Sequence, residues 1–102
     1  MELLNEIKDA IVAEIKPDKI ILFGSYARGD SNEHSDIDLM ILKKNPGNVR
    51  QVASKAYVCL RFVQKPLDIF VMDTDLYYES INKNGLIYKT INKEGEVIYG
   101  WL

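Results

Sequence analysis

The sequence predicts an α/β (α+β) fold, a mixed sheet with helices packed on it. Three observations carry that expectation. In some segments apolar residues recur at three- and four-residue intervals, while in others they form short runs rich in Ile, Leu and Val. The two patterns alternate along the chain, and Gly, Pro or Asn stands at most of the boundaries between them.

From Glu2 to Lys16, the spacing of Leu4, Ile7, Ile11 and Ile15 marks a one-sided helix that Pro17 stops. "KIILF" at 19–23 reads as a buried strand. Gly24 and Ser25 break it, and "YARG" predicts a short helical turn ended by Gly29, whose missing Cβ permits a left-handed cap. "DSNEHS" is a polar loop of turn formers. "DIDLMIL" at 36–42 is a second strand, followed by a turn at Pro46 and Gly47. Val49, Val52, Ala53, Ala56, Leu60 and Val63 predict a helix over 49–63. Pro66 allows no helix beyond it, and "LDIFVM" at 67–72 is the third strand. Asp73 or Thr74 caps a helix through "DLYYESIN". "LIYKTI" predicts a further helical turn and "GEVIYGW" a short edge strand.

At 102 residues the chain is expected to form a single domain over 1–102. With 47% hydrophobic and 27% charged residues it has an ordinary globular composition, and no run approaches the ~20 apolar residues that span a bilayer. Acids interrupt the opening "MELLNEIKDA", which lacks the apolar core of a signal peptide, so a cytoplasmic location without membrane contact is expected. The balance of 13 basic to 15 acidic residues supplies no excess charge for nucleic acid, and any phosphate contact must be local. The single Cys59 excludes an internal disulfide and fits the apolar stripe of a helix.

The chemistry is concentrated in a few acids. Asp36 and Asp38 are two residues apart at the head of a strand, where period-two side chains share a face. In isolation such a pair reads as a polar strand entry. A third acid, Asp68, stands among apolar neighbours on another expected strand, where an unpaired carboxylate would cost several kcal/mol. If those strands are neighbours, the three acids converge. Like charges that close call for a cation, and an oxygen-only set favours Mg²⁺ or Mn²⁺ over zinc. Three carboxylates can hold two such ions about 3.5–4 Å apart, an arrangement suited to phosphoryl or nucleotidyl transfer. Gly24 and Ser25 supply a backbone approach and a hydroxyl for phosphate. Neither the GxxxxGK[ST] loop nor the GxGxxG fingerprint is present.

Together, "GSYARGDSNEHSDIDLMIL" and the later Asp68 resemble the signature of the DNA polymerase beta-like nucleotidyltransferase superfamily. In particular the chain resembles the minimal nucleotidyltransferase (MNT) domains, including the MntA-like antitoxins of MNT/HEPN pairs. The resemblance implies the polymerase beta-like nucleotidyltransferase fold and an Mg²⁺-dependent transfer of a nucleoside monophosphate, typically AMP from ATP, to a hydroxyl. It casts Asp36, Asp38 and Asp68 as catalytic metal ligands for two Mg²⁺, with Mn²⁺ as the alternative ion, and Gly24 and Ser25 as phosphate contacts. It also implies a HEPN-type helical toxin whose tyrosine accepts the AMP, in a homo- or hetero-oligomer. Two other readings stay open: a non-catalytic antitoxin that acts by stoichiometric contact, and a subunit that modifies a small molecule of the aminoglycoside type.

Other residues divide between readings. Arg28 either balances the acidic site or touches phosphate, or else forms a structural salt bridge to one of the acids. Asp73 suits helix capping better than metal binding. His34 is expected in solvent, and Lys43 and Lys44 in a solvated turn from which they could draw in an anionic nucleotide. Tyr57, Tyr77, Tyr78 and Tyr88 read as half-buried packing or interface residues. Trp101 is either a core cap or a partner contact.

Overall fold

The computed structural model describes residues 2–100, so the expectation for Trp101 lies outside the described residues. In chain order the elements are α1 (Glu2–Ile15), β1 (Lys19–Phe23), α2 (Ser25–Arg28), β2 (Ile37–Leu42), α3 (Val49–Cys59), β3 (Leu67–Met72), α4 (Thr74–Asn82), α5 (Leu86–Glu94) and β4 (Glu96–Tyr99). The strands form one mixed sheet in the order β3-β2-β1-β4. β1 runs antiparallel to both β2 and β4, while β2 and β3, joined through α3, are parallel.

The sheet is covered on both faces, and strand alternation decides what each face buries. Ile20 and Leu22 of β1, Ile37, Leu39 and Ile41 of β2, and Ile69 of β3 meet Ile7, Ile11 and Ile15 of α1 and Ala56 of α3. The intervening residues face the other way, where Ile21, Met40 and Leu42 pack with Tyr77 of α4 and Ile91 of α5. Asp38 and Asp68 belong to this second face, at the end of the sheet that α4 and α5 leave open.

Several boundaries depart from the sequence expectation. α1 stops at Ile15, because Lys16 adopts a left-handed backbone (φ 55) ahead of Pro17. α3 ends at Cys59 rather than residue 63. Its last residues tighten into i→i−3 bonds, Arg61 N to Val58 O and Val63 N to Leu60 O. Leu60 and Val63 therefore keep their core contacts while the chain turns toward Pro66 and β3. α5 is longer than a turn, with Tyr88 and Ile91 packing on the sheet. Tyr77 is fully buried rather than half-buried, and burial beside Tyr78 pushes its hydroxyl up to about 12.

Other expectations match. Asp73 caps α4 by accepting from Leu76 N, while Asn48, for which no cap was expected, caps α3 by accepting from Arg50 N and Gln51 N. Gly29 closes α2 with φ 82. β3, an edge strand, has its Ile69 N–H satisfied by the Tyr57 hydroxyl at 3.0 Å, which blocks one pairing position on that edge. Among the described residues, no helix is long and apolar enough to cross a membrane.

Candidate active site

The register of the sheet builds the site. Phe23 of β1 lies opposite Asp38 of β2, and Asp38 lies beside Asp68 of β3, so one row crosses three strands. Asp36 stands one residue before β2 and keeps the same period. As a result Asp36, Asp38 and Asp68 each bring a carboxylate oxygen within 4.8 Å of the other two. β2 and β3 are consecutive strands joined through α3, and their parallel pairing brings Asp68 to Asp36 and Asp38.

Burial is unequal across the three. Asp36 is exposed, Asp38 is half-buried, and Asp68 sits at the border between exposed and half-buried. Asp68 is thus more open than its apolar sequence neighbours imply, because it lies at the start of an edge strand. The strain falls on Asp38 instead. Burial, then the Asp68 and Asp36 charges, push its carboxyl above the ordinary range, and Arg28 partly offsets them. A half-buried carboxylate crowded by two others, with oxygen donors only, fits a hard divalent cation.

Gly24 has a further structural reason to be glycine. Its backbone (φ 74, ψ −153) is one that L side chains rarely adopt, and a Cβ built there would overlap Asp38 Oδ2. Gly24 and Asp38 therefore lie against each other. Gly24 and Arg28 line a small cleft with Thr90 and Glu94 of α5.

The family profile described as "Polymerase beta, Nucleotidyltransferase" matches residues 5–100. The chain belongs to this nucleotidyltransferase family. It is 33% identical over 99 residues to the Methanocaldococcus jannaschii protein named "Putative protein adenylyltransferase MJ0141", covering 95% of this chain and 97% of that protein. It is 35% identical over 101 residues to "Putative protein adenylyltransferase MJ0604" of the same organism, covering 96% and 92%. Among solved structures, the fold matches a chain of "Crystal structure of the toxin-antitoxin with AMP-PNP" with a TM-score of 0.60 at 24% identity, covering 96% of this chain and 73% of that one. It also matches a nucleotidyltransferase structure from Sulfolobus solfataricus, described there as putative, with a TM-score of 0.58 at 24% identity, covering 98% and 80%.

For this nucleotidyltransferase the remaining candidates fall into place around the acids. The Nε of Arg28 donates to Asp30 Oδ2 at 3.2 Å on the exposed surface, while its charge acts to lower the carboxyl pKa of Asp38. Asp30 is not one of the three acids. Asp73 is spent on capping and on accepting from Asn45 N, contacts that hold its carboxyl below the usual range. His34 is exposed beside Glu33. Lys43 follows the far end of β2, five residues past Asp38 or roughly 16 Å along the strand, so it does not reach the acids. Cys59 is half-buried, and burial raises its thiol, which suits packing rather than nucleophilic attack.

Two features escaped the sequence reading. Glu94 and Thr90 approach Gly24 only because α5 folds back along the sheet, which no local signal announces. Phe70 shares the face of Asp68 and stays 44% exposed. Its period-two spacing from Asp68 was the available signal.

Proposed function

We propose that this nucleotidyltransferase moves AMP from ATP to a protein hydroxyl, with a tyrosine of a HEPN-type helical toxin as acceptor, and thereby acts as an antitoxin in the cytoplasm. The observation that carries the reading is the convergence of Asp36, Asp38 and Asp68 on one sheet end, against the Gly24-Ser25 step. The match over nearly the full length of relatives named as protein adenylyltransferases supports a protein acceptor.

In this reading Asp36, Asp38 and Asp68 hold two Mg²⁺, with Mn²⁺ able to substitute. Bound there, the ions neutralise charge on the triphosphate and on the departing pyrophosphate. The Gly24 backbone and Ser25 hydroxyl orient the outer phosphates, and Arg28 adds positive charge on the same side. The acceptor oxygen forms a bond to the α-phosphorus while the bond from that phosphorus to the bridging oxygen breaks, and pyrophosphate leaves. Asp68, on the edge strand β3, takes the hydroxyl proton or passes it to water.

The test is to incubate the chain with its co-purified helical partner, ATP and Mg²⁺ and to read the partner's intact mass. The reading expects a gain of whole adenylate groups on a tyrosine, absent with Asp38→Asn. A partner neutralised with no mass gain under varied nucleotides and metals would leave binding alone as the antitoxin mechanism.

A further inference from the structure

A groove of about 300 Å³ opens on the same sheet face as the acids, at the small end of the range for small-molecule sites. Phe23, Met40 and Phe70 form its floor, and Ile87, Tyr88 and Ile91 of α5 its wall. Met40 and Phe70 stand two residues past Asp38 and Asp68 on their strands, about 7 Å from the acids. The Phe23 and Phe70 rings are 5.8 Å apart. Despite this packing, Phe70 is 44% and Ile87 65% exposed, which leaves apolar surface in water beside a charged centre.

Resting on the nucleotidyltransferase reading above, we propose that this groove takes the base of the donor nucleotide and holds it by stacking, without reading its edge. Three observations select that occupant. The groove and the Gly24–Arg28 cleft share Phe23, Ile87 and Ile91 as walls, so a molecule anchored by phosphates at Gly24 extends into the groove without crossing another element. The volume suits a ring system rather than a segment of protein. Tyr88 contributes the only polar side chain of the lining, which gives a base faces to stack on and almost nothing to hydrogen-bond. The acceptor is left the open β3 edge, where Asp68 lies.

Binding measured by calorimetry in Mg²⁺ tests this, with ATP and inorganic tripolyphosphate as the two probes. Wild type binds ATP at least about tenfold more tightly than tripolyphosphate, and GTP, CTP and UTP within about tenfold of ATP. Phe70→Ala weakens ATP by about tenfold, the scale of one lost base–aromatic stack, and leaves tripolyphosphate unchanged, while Phe70→Tyr restores ATP binding. Ile87→Ala, in the wall that the groove shares with the Gly24–Arg28 cleft, weakens ATP as well. ATP binding no tighter than tripolyphosphate, or ATP binding indifferent to both Phe70→Ala and Ile87→Ala, overturns the base site and gives the groove to the acceptor, with the nucleotidyltransferase reading intact. A more than hundredfold preference for one base overturns readout by stacking alone. Failure of wild type to bind either probe overturns the nucleotidyltransferase reading itself.

Discussion

Replacing Asp38 with Asn separates the electrostatics of the site from its chemistry. At 4.8 Å, two unit charges repel by roughly 0.9 kcal/mol in water and roughly 3.5 kcal/mol at an effective dielectric constant of about 20. Asp36 is exposed and Asp68 nearly so, which places the cluster close to the aqueous limit. Two such repulsions vanish in Asp38→Asn and the Arg28 attraction is lost with them. The net expectation is a metal-free protein about 1 kcal/mol more stable than wild type, a rise in Tm of about 4–8 °C for a domain of this size. The gain has a defined pH window. Asp38 has a raised carboxyl pKa in the fold, so its destabilising effect is absent below the ordinary carboxylate range and develops as pH rises through the raised value. Thermal melts in EDTA at neutral and acid pH check both statements, the two proteins converging in acid. Adding Mg²⁺ then reverses the advantage: at ten times its dissociation constant the ion stabilises wild type by roughly 1.4 kcal/mol and has much less effect on the variant. A metal-free Asp38→Asn protein that melts below wild type, or a wild type whose Tm ignores both Mg²⁺ and Mn²⁺, would refute the reasoning.

Further predictions concern the supports of the site. Gly24→Ala forces a strained backbone and pushes on Asp38 Oδ2, so the expected outcome is a loss of about 1–2 kcal/mol in chemical unfolding together with loss of metal-induced stabilisation. Tyr57→Phe leaves the Ile69 N–H without its partner and lowers stability by about 1 kcal/mol, measurable in urea, with faster amide exchange at Ile69. Asp73 is held in its charged form by the amides it caps, so wild-type stability falls as pH drops through its depressed pKa; Asp73→Asn, which keeps a cap but not the charge, flattens that acid limb of the melting profile.

Much of this architecture is legible in the sequence because local signals and global packing agree. The period-two placement of Ile37, Asp38 and Leu39 already sends apolar side chains to one face and the acid to the other. Asp73 announces its helix by capping chemistry. The end of α3 was not legible, because the apolar spacing of Leu60 and Val63 persists through a tighter turn. Nor was the adjacency of β2 and β3, on which the meeting of Asp68 with Asp38 depends, since strand order is a property of the whole sheet. The apolar groove is legible only in hindsight: Phe70 and Met40 are ordinary core residues by type, and while Met40 is buried, the exposure of Phe70 follows from where α5 stops covering the sheet.

The central claim is that Asp36, Asp38 and Asp68 form one metal centre for nucleotidyl transfer. Anomalous diffraction from crystals grown with Mn²⁺ and a non-hydrolysable ATP analogue addresses it most directly. Two neighbouring Mn²⁺ peaks are expected to touch carboxylate oxygens of all three aspartates, with the triphosphate running toward Gly24 and Ser25. Strong Mn²⁺ peaks elsewhere, or a bound nucleotide whose phosphates lie away from these aspartates, would contradict it.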